Sequence, residues 1–510
     1  MKGEKTLDAV DEDNHPTGGR TPGRIGIVDM GSNTLRLVVY DTPTRLPFPV
    51  FNEKAQCRLA EGLSATGRLS PRGTEEAIRA LSRFAHLAEP MGVDHLELVA
   101  TAAIRDAKDG HDFVERVERT CGLSVHVLSG AEEARLAAIG VLNGIPDANG
   151  ALADLGGGSL DLVSLDHGEI VEFATTSLGH VRLMEDSSGD RQKARGILAE
   201  TLQTIPWLDQ VGGKTLYCVG GSWRAIARIF IEQTHHPLHV VDNFSIGFFE
   251  ALRLANLVSG LSRETLGDLH GIDSKRIDSL PFAAAAMAAL IERARPRDIM
   301  FSAYGMREGQ MLEILPPELR NQDPLISACE GQAERTGRFA VHGEEILQWM
   351  SPLFADETGR ERRLRLAKCL LSDIGWSEHP DYRALHAFHR VLRIPYPGLT
   401  HPDRAAMALT ILIRYGGAPD DRMVTPVHTL LDEQRLERAR VIGLSLRLAH
   451  TLSGGAPGLL PQTRLRQTQN TLDLEVAEEA TAFVSEAVER RFGRLAKAMK
   501  LKGVIKPNSD

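Results

Sequence analysis

Aromatic side chains make up only 5% of this 510-residue chain, too few for base-stacking platforms to be its main business. Basic residues are not in excess. The net charge of −9 excludes a global polycation for nucleic acid and leaves room only for a local basic patch. Cysteine is scarce: Cys57, Cys121, Cys218, Cys329 and Cys369 lie far apart with no CxxC spacing. That argues against a disulfide framework and a thiolate metal site, and fits a reduced cytoplasm. The longest apolar run, PFAAAAMAALI at Pro281–Ile291, is too short to span a bilayer and reads as a buried helix. The first residues, MKGEKTLDAVDEDNHPTGGRTPG, hold no apolar stretch of the signal-peptide kind, and residues 1–22 read as a disordered polar lead-in.

What is present is the composition of a soluble globular protein, long enough for two to four hydrophobic cores. The segment GIVDMGSNTLRLVVYD (Gly26–Asp41) reads as two strands joined by a tight turn, with Asp29 at the end of the first. GALADLGGGSLDLVSLDHGEI repeats the device with Asp154, Gly156, Gly157, Gly158 and Ser159. A third glycine turn, YCVGGSWRAIARIF, carries Gly220 and Gly221 from a strand into a helix. YGMREGQML is a fourth candidate element. RGTEEAIRALSRFAHLAEPMG has apolar spacing of three and four, predicting a helix that ends near Pro90 and Gly92. SVHVLSGAEEARLAAIGVLNGI predicts a short strand, a turn and a helix closing near Gly144. Beyond Asp323 amphipathic helical patterns dominate. From about Gly454 a loop precedes strand-like LRQTQNTLDLEV, the helix ATAFVSEAVERRFGRLAKAMK and a short basic tail.

Glycine turns expose successive backbone N–H groups and let a phosphate approach them closely. Gly31, Ser32, Asn33 and Thr34 at one hairpin tip, and Gly156–Gly158 with Ser159 at the other, fit that use. An Asp beside such a loop suits a hard cation such as Mg²⁺. One Asp-x-Gly-Ser turn alone is usually structural; two, plus a third glycine turn, point to function. Glu132 and Glu133 open a helix behind Ser129. That position suits a helix cap and dipole partner, and equally a general base between lobes. Asp161 leaves the second loop, and the intervening turn leaves it free to face the site. Arg36, Arg58, Arg105, Arg135, Arg182, Arg276 and Arg307 recur beside these motifs as candidate local cations for a polyanion. The histidines of EHPDYRALHAFH (His379, His386, His389), and His235, His236 and His239, form no recognised ligand pattern.

In order along the chain, VDMGSNTLRLVVYD, VATAAIRDAKDG, LSGAEEARLAAIGV, ADLGGGSLDLV, CVGGSWRAIARI and YGMREGQML resemble the exopolyphosphatase / guanosine pentaphosphate phosphohydrolase (Ppx/GppA) family over residues 24–312. The resemblance implies an α/β fold. Two actin-like (ASKHA, ribonuclease H-like) lobes would span residues 23–136 and 137–320. A mainly helical, HD-like domain would span 321–450 and a small α+β domain 451–510. It implies Glu133 as catalytic base. It implies Asp29, Asp154 and Asp161 around Mg²⁺, and admits stimulation by K⁺. Phosphate binding falls on Gly31, Ser32, Asn33, Thr34, Arg105, Gly156, Gly157, Gly158, Ser159, Gly220 and Gly221. Where the family commonly has GGGSTEL this chain has GGGSLDL, one methylene shorter at Asp161. In CLLSDIGWS, Ser372-Asp373 stands where an HD domain would carry His-Asp, so that domain is expected to bind or scaffold. The implied substrate is inorganic polyphosphate, and the implied state a cytoplasmic homodimer with neither a membrane nor a nucleic-acid polymer as partner.

Three other readings stay open. A guanosine pentaphosphate (pppGpp) phosphohydrolase would use the same site with a guanine pocket. An actin-like ATP-dependent kinase or ATPase would need an adenosine pocket near Gly220-Gly221, where Trp223 and Arg224 look bulky. An inactive alarmone-binding regulator would not need Glu133 and Asp154.

Overall fold

In the computed structural model, which describes residues 23–41, 44–269 and 273–507, the first apolar run becomes β1 (Arg24–Met30) and the second β2 (Thr34–Tyr40). The lead-in expected over residues 1–22 lies outside the described residues. β1 and β2 pair antiparallel, and β3 (Pro49–Gln56) extends them on one side. On the other side β4 (Val93–Ala100) and β5 (His126–Val127) join in parallel. The sheet order is β3-β2-β1-β4-β5.

The second half of the pair repeats this plan. β6 (Gly150–Leu155), β7 (Leu160–Asp166) and β8 (Glu169–Thr176) form an antiparallel meander. β9 (Thr215–Val219), β10 (Phe244–Gly247) and β11 (Asp298–Phe301) complete the order β10-β11-β9-β6-β7-β8. β6, β9 and β11 run parallel, and β10 adds one antiparallel edge strand. Read outward from the meander, both sheets therefore share one strand order. Their buried runs are Val/Ile/Leu-rich, as strands covered on both faces require.

Two helices cross between the sheets. Helix Gly130–Gly144 follows the first sheet in sequence, yet Ala134, Ala137, Ala138 and Val141 pack on Leu152, Val163 and Tyr217 of the second. Helix Met306–Ile314 follows the second sheet, yet Met311 and Leu312 pack on Ile25, Ile27 and Val38 of the first. They touch where a Cβ on Gly140 would lie 2.1 Å from the Gly305 carbonyl oxygen. The PFAAAAMAALI run is the buried helix Leu280–Ala294, as its all-round apolar pattern demands.

Helices fill most of the region from Pro324 to Leu452. A small sheet of β12 (Thr463–Gln467), β13 (Thr471–Val476) and β14 (Lys502–Pro507) follows, and one continuous apolar core joins it to those helices. Two details differ from expectation. The last helix starts at Glu486, after a 3₁₀ turn over Glu478–Phe483. The basic tail is strand β14, parallel to β13, with Lys506 Nζ 2.9 Å from Asp473 Oδ2. Among the described residues no helix is long and apolar enough to cross a membrane.

Candidate active site

Both hairpin tips open into one cleft of about 310 Å³ between the sheets. Its walls include Asp29, Gly31, Ser32, Asn33 and Thr34 from β1–β2, and Asp154, Gly156, Gly157, Gly158, Ser159 and Asp161 from β6–β7. Gly220 and Gly221 follow β9 into helix Gly221–Gln233, and Glu133 comes from the crossing helix. The two tips nearly touch: a Cβ on Gly157 would lie 3.2 Å from the Ser32 Cβ. Gly220 has φ +109°, and a Cβ there would meet the Leu155 carbonyl oxygen at 2.5 Å, so only glycine suits this turn.

Of the residues that the family resemblance assigns to catalysis, phosphate or metal, all line this cleft except Arg105, which faces an adjoining cavity and makes an ion pair with Glu133. Arg105 also donates to the Leu128 carbonyl at 2.9 Å, so it grips Glu133 from behind. Glu132, by contrast, is a cap: Ser129 Oγ accepts from the Glu132 N–H at 3.2 Å and the Glu132 carboxylate accepts from the Ser129 N–H at 2.8 Å.

Asp154 and Asp161 are direct cross-strand partners in the β6–β7 hairpin, which brings their carboxylates to one face. Burial, then repulsion from Asp161, pushes Asp154 up to about 7. Burial and Asp161 likewise hold Glu133 well above the ordinary carboxylate range, against the pull of Arg105. Asp161 is raised mainly by burial. Its Oδ2 accepts from Ser159 Oγ at 3.0 Å, while its Oδ1 is buried without a hydrogen-bond partner. Asp29 is raised by burial and faces Arg307 at 3.5 Å.

Asp29 and Glu133 each face an arginine, whereas Asp154 and Asp161 face one another and Asp161 keeps an orphaned oxygen. Their hard oxygen donors suit a divalent cation. Among the described residues no three His, Cys, Asp or Glu side chains close on a single point. A cation here would therefore complete its shell with phosphate oxygens and water, the usual habit of Mg²⁺.

Sequence reasoning missed part of the wall. Lys54, Arg224, Lys275, Glu308 and His180 also line the cleft. Lys54, Lys275 and His180 come from segments with no local signature, whereas Arg224 and Glu308 lie inside CVGGSWRAIARI and YGMREGQML, where only their neighbours stood out as site residues. His180 Nε2 lies 3.0 Å from Ser222 Oγ, and burial lowers its pKa to about 4. Arg36, Arg276 and Arg307 face the cleft, whereas Arg135 is tied to Glu313 and Arg182 to Asp106. Trp223 points into the core and donates to the Ala283 carbonyl at 2.8 Å. His236 pairs with His401 at 2.7 Å instead of joining its sequence neighbours.

Two like-ordered sheets, crossing helices and glycine loops around acids define a phosphate-handling protein of the actin-like class. The Ppx/GppA phosphatase family model matches residues 38–318, more than half of the chain, and a model for the exopolyphosphatase C-terminal region matches 325–506. The chain belongs to the Ppx/GppA phosphatase family. It is 26% identical over 437 residues to Retrograde regulation protein 2 of Saccharomyces cerevisiae, covering 77% of this chain and 72% of that protein. It is 29% identical over 314 residues to Exopolyphosphatase 1 of Mycobacterium bovis, covering 58% and 89%. A crystal structure of an exopolyphosphatase from Cytophaga hutchinsonii shares the fold at TM-score 0.52 and 22% identity, over 57% of this chain and 99% of that one.

Proposed function

We propose that this protein is an exopolyphosphatase that releases terminal orthophosphate from inorganic polyphosphate in the cleft between the two sheets. The observation that carries this reading is the cleft's charge pattern. Acids crowd the hairpin tips, and cations line the way out. A second cavity of about 400 Å³ shares Arg36, Arg224, Arg276 and Arg307 with the cleft and adds Arg228. Lys54 and Lys275 stand on the cleft wall. In a protein of net charge −9, such a local row of cations suits a long polyanion. The described lining residues of both cavities include no Phe, Tyr or Trp on which a guanine would stack. That favours the polymer over guanosine pentaphosphate.

In this reading the N–H groups and hydroxyls of Gly31–Thr34 and Gly156–Ser159 orient the terminal phosphoryl group. Glu133 takes a proton from the attacking water, and Arg105 holds its carboxylate in place. Arg307 and Arg224 balance charge on the phosphoryl oxygens; burial and Arg307 bring Arg224 down to about 10, still cationic at neutral pH. Asp154 and Asp161, with Asp29 acting through water, would hold Mg²⁺, which would neutralise phosphate charge when bound. In the C-terminal half, Asp373 is held by Arg338 at 3.1 Å and Arg414 at 3.1 Å. Two guanidiniums on that carboxylate support a scaffolding or binding role for an HD-like domain with Ser372 in place of histidine.

The test is orthophosphate release with Mg²⁺ from long-chain polyphosphate and from guanosine pentaphosphate. The proposal expects faster turnover of the polymer, with KM for it rising in Lys275→Ala and Arg276→Ala. Turnover of the nucleotide alone would promote the rival reading.

A further inference from the structure

The segment Ser302–Gly305 joins β11 to helix Met306–Ile314, and it delivers Arg307 and Glu308 to the cleft. Its polar groups are tied one by one. The Ala303 N–H donates to Asp242 Oδ1 at 3.0 Å. Ser302 Oγ accepts the Tyr304 N–H at 3.0 Å and donates to the Tyr304 carbonyl at 2.9 Å. The Gly305 N–H donates to Glu308 Oε2 at 2.9 Å.

Two of the ties lead out of the sheets into the helical C-terminal half. Asp242 Oδ2 accepts from Arg404 Nη2 at 3.3 Å, and the Tyr304 hydroxyl donates to the Pro395 carbonyl at 2.9 Å. Arg404 is 1% exposed and also donates to the Tyr396 carbonyl at 3.0 Å and to that of Ile394. Asp242 is 9% exposed.

From these contacts we infer that Arg404 and Tyr304 are positioning residues for the cleft: the C-terminal half holds the Ser302–Gly305 segment, and through it Arg307 and Glu308, in the geometry that hydrolysis needs. The functional part rests on the exopolyphosphatase reading above. A buried carboxylate without its guanidinium carries a large desolvation cost. Removing Arg404 therefore loosens Asp242 and the Ala303 N–H that depends on it. Arg307 sits three residues beyond Tyr304, and a displacement of about 1 Å at a charged catalytic group costs on the order of 100-fold in rate. Lys54, Arg228, Lys275 and Arg276 lie on segments outside this tie, so most of the grip on the polymer is spared and only the share of Arg307 and of Arg224, which donates to the Ala303 carbonyl at 3.3 Å, is exposed to it.

The test uses the full chain as wild type, Arg404→Lys and Tyr304→Phe, assayed well below each variant's unfolding temperature. Tyr304→Phe removes one oxygen and keeps the ring, so it carries the test if Arg404→Lys does not fold. Two readouts are taken: kcat and KM on long-chain polyphosphate, and amide hydrogen exchange across 302–308. The expected result is a kcat lower by on the order of tenfold or more, KM within about twofold, and faster exchange at Ala303–Glu308. A purely structural tie would lower the unfolding temperature alone. Unchanged kcat and unchanged exchange in the folded variants would overturn the inference. If wild type releases no phosphate from polyphosphate, the functional reading fails, while the exchange result still decides the tie.

Discussion

Asp154 faces Asp161 across the β6–β7 hairpin, and the pair holds charge that the fold alone does not balance. Asp154 is raised from 3.8 to about 7, so the native state holds its proton more tightly than the unfolded chain. Its contribution to stability is full below pH 3.8 and is lost as pH rises towards 7, a change of several kcal/mol at most. Asp154→Asn should therefore raise the unfolding temperature of metal-free protein at pH 8. Mg²⁺ should stabilise wild type, and the same variant should lose much of that gain, because fewer ligands remain to couple binding to folding. Thermal unfolding with and without Mg²⁺ checks both. A variant less stable than wild type without metal would show that the acids are not in conflict. Acids and glycines at the hairpin tips were legible in the sequence because each set is contiguous. Lys54, His180 and Lys275 were not, because only the tertiary fold brings them together.

At the scale of elements, the crossing of the two helices depends on glycine for space. Alanine in place of a helical glycine ordinarily gains about 1 kcal/mol. At Gly140 the added Cβ meets backbone, the Gly305 oxygen at 2.1 Å, which cannot turn aside like a side chain. The clash wins, and Gly140→Ala should cost about 1–3 kcal/mol in urea denaturation. Gly196, in helix Arg191–Gln203, has open space around its Cβ position, so Gly196→Ala should gain up to about 1 kcal/mol. Equal effects at the two sites would contradict the packing argument. Strands and helices with local periodicity, such as β1, β2 and Leu280–Ala294, were readable from their patterns. Strand β14 was not: its pairing partner, β13, lies about 30 residues earlier, and two lysines among six residues mask its alternation.

Across the whole molecule, His401 and His450 are buried and His180 is half-buried on the cleft wall; desolvation lowers His180 to about 4, His401 to about 3 and His450 well below 6.5. The unfolded chain takes up their protons near 6.5 and the native protein does not. Stability is therefore full above that pH and falls on acidification, by ~1.4 kcal/mol per pH unit for each such histidine. His401→Gln should show a shallower loss between pH 6.5 and 5 in denaturant titrations; an identical slope would contradict the assignment. The molecule's central claim concerns the cleft between the sheets and the one carboxylate that Arg105 holds there. The most direct measurement is the initial rate of orthophosphate release from long-chain polyphosphate by wild type and by Glu133→Gln, with both shown to be folded. The account predicts steady release by wild type and a loss of at least ~100-fold in the variant. Equal rates would contradict it by placing the base elsewhere.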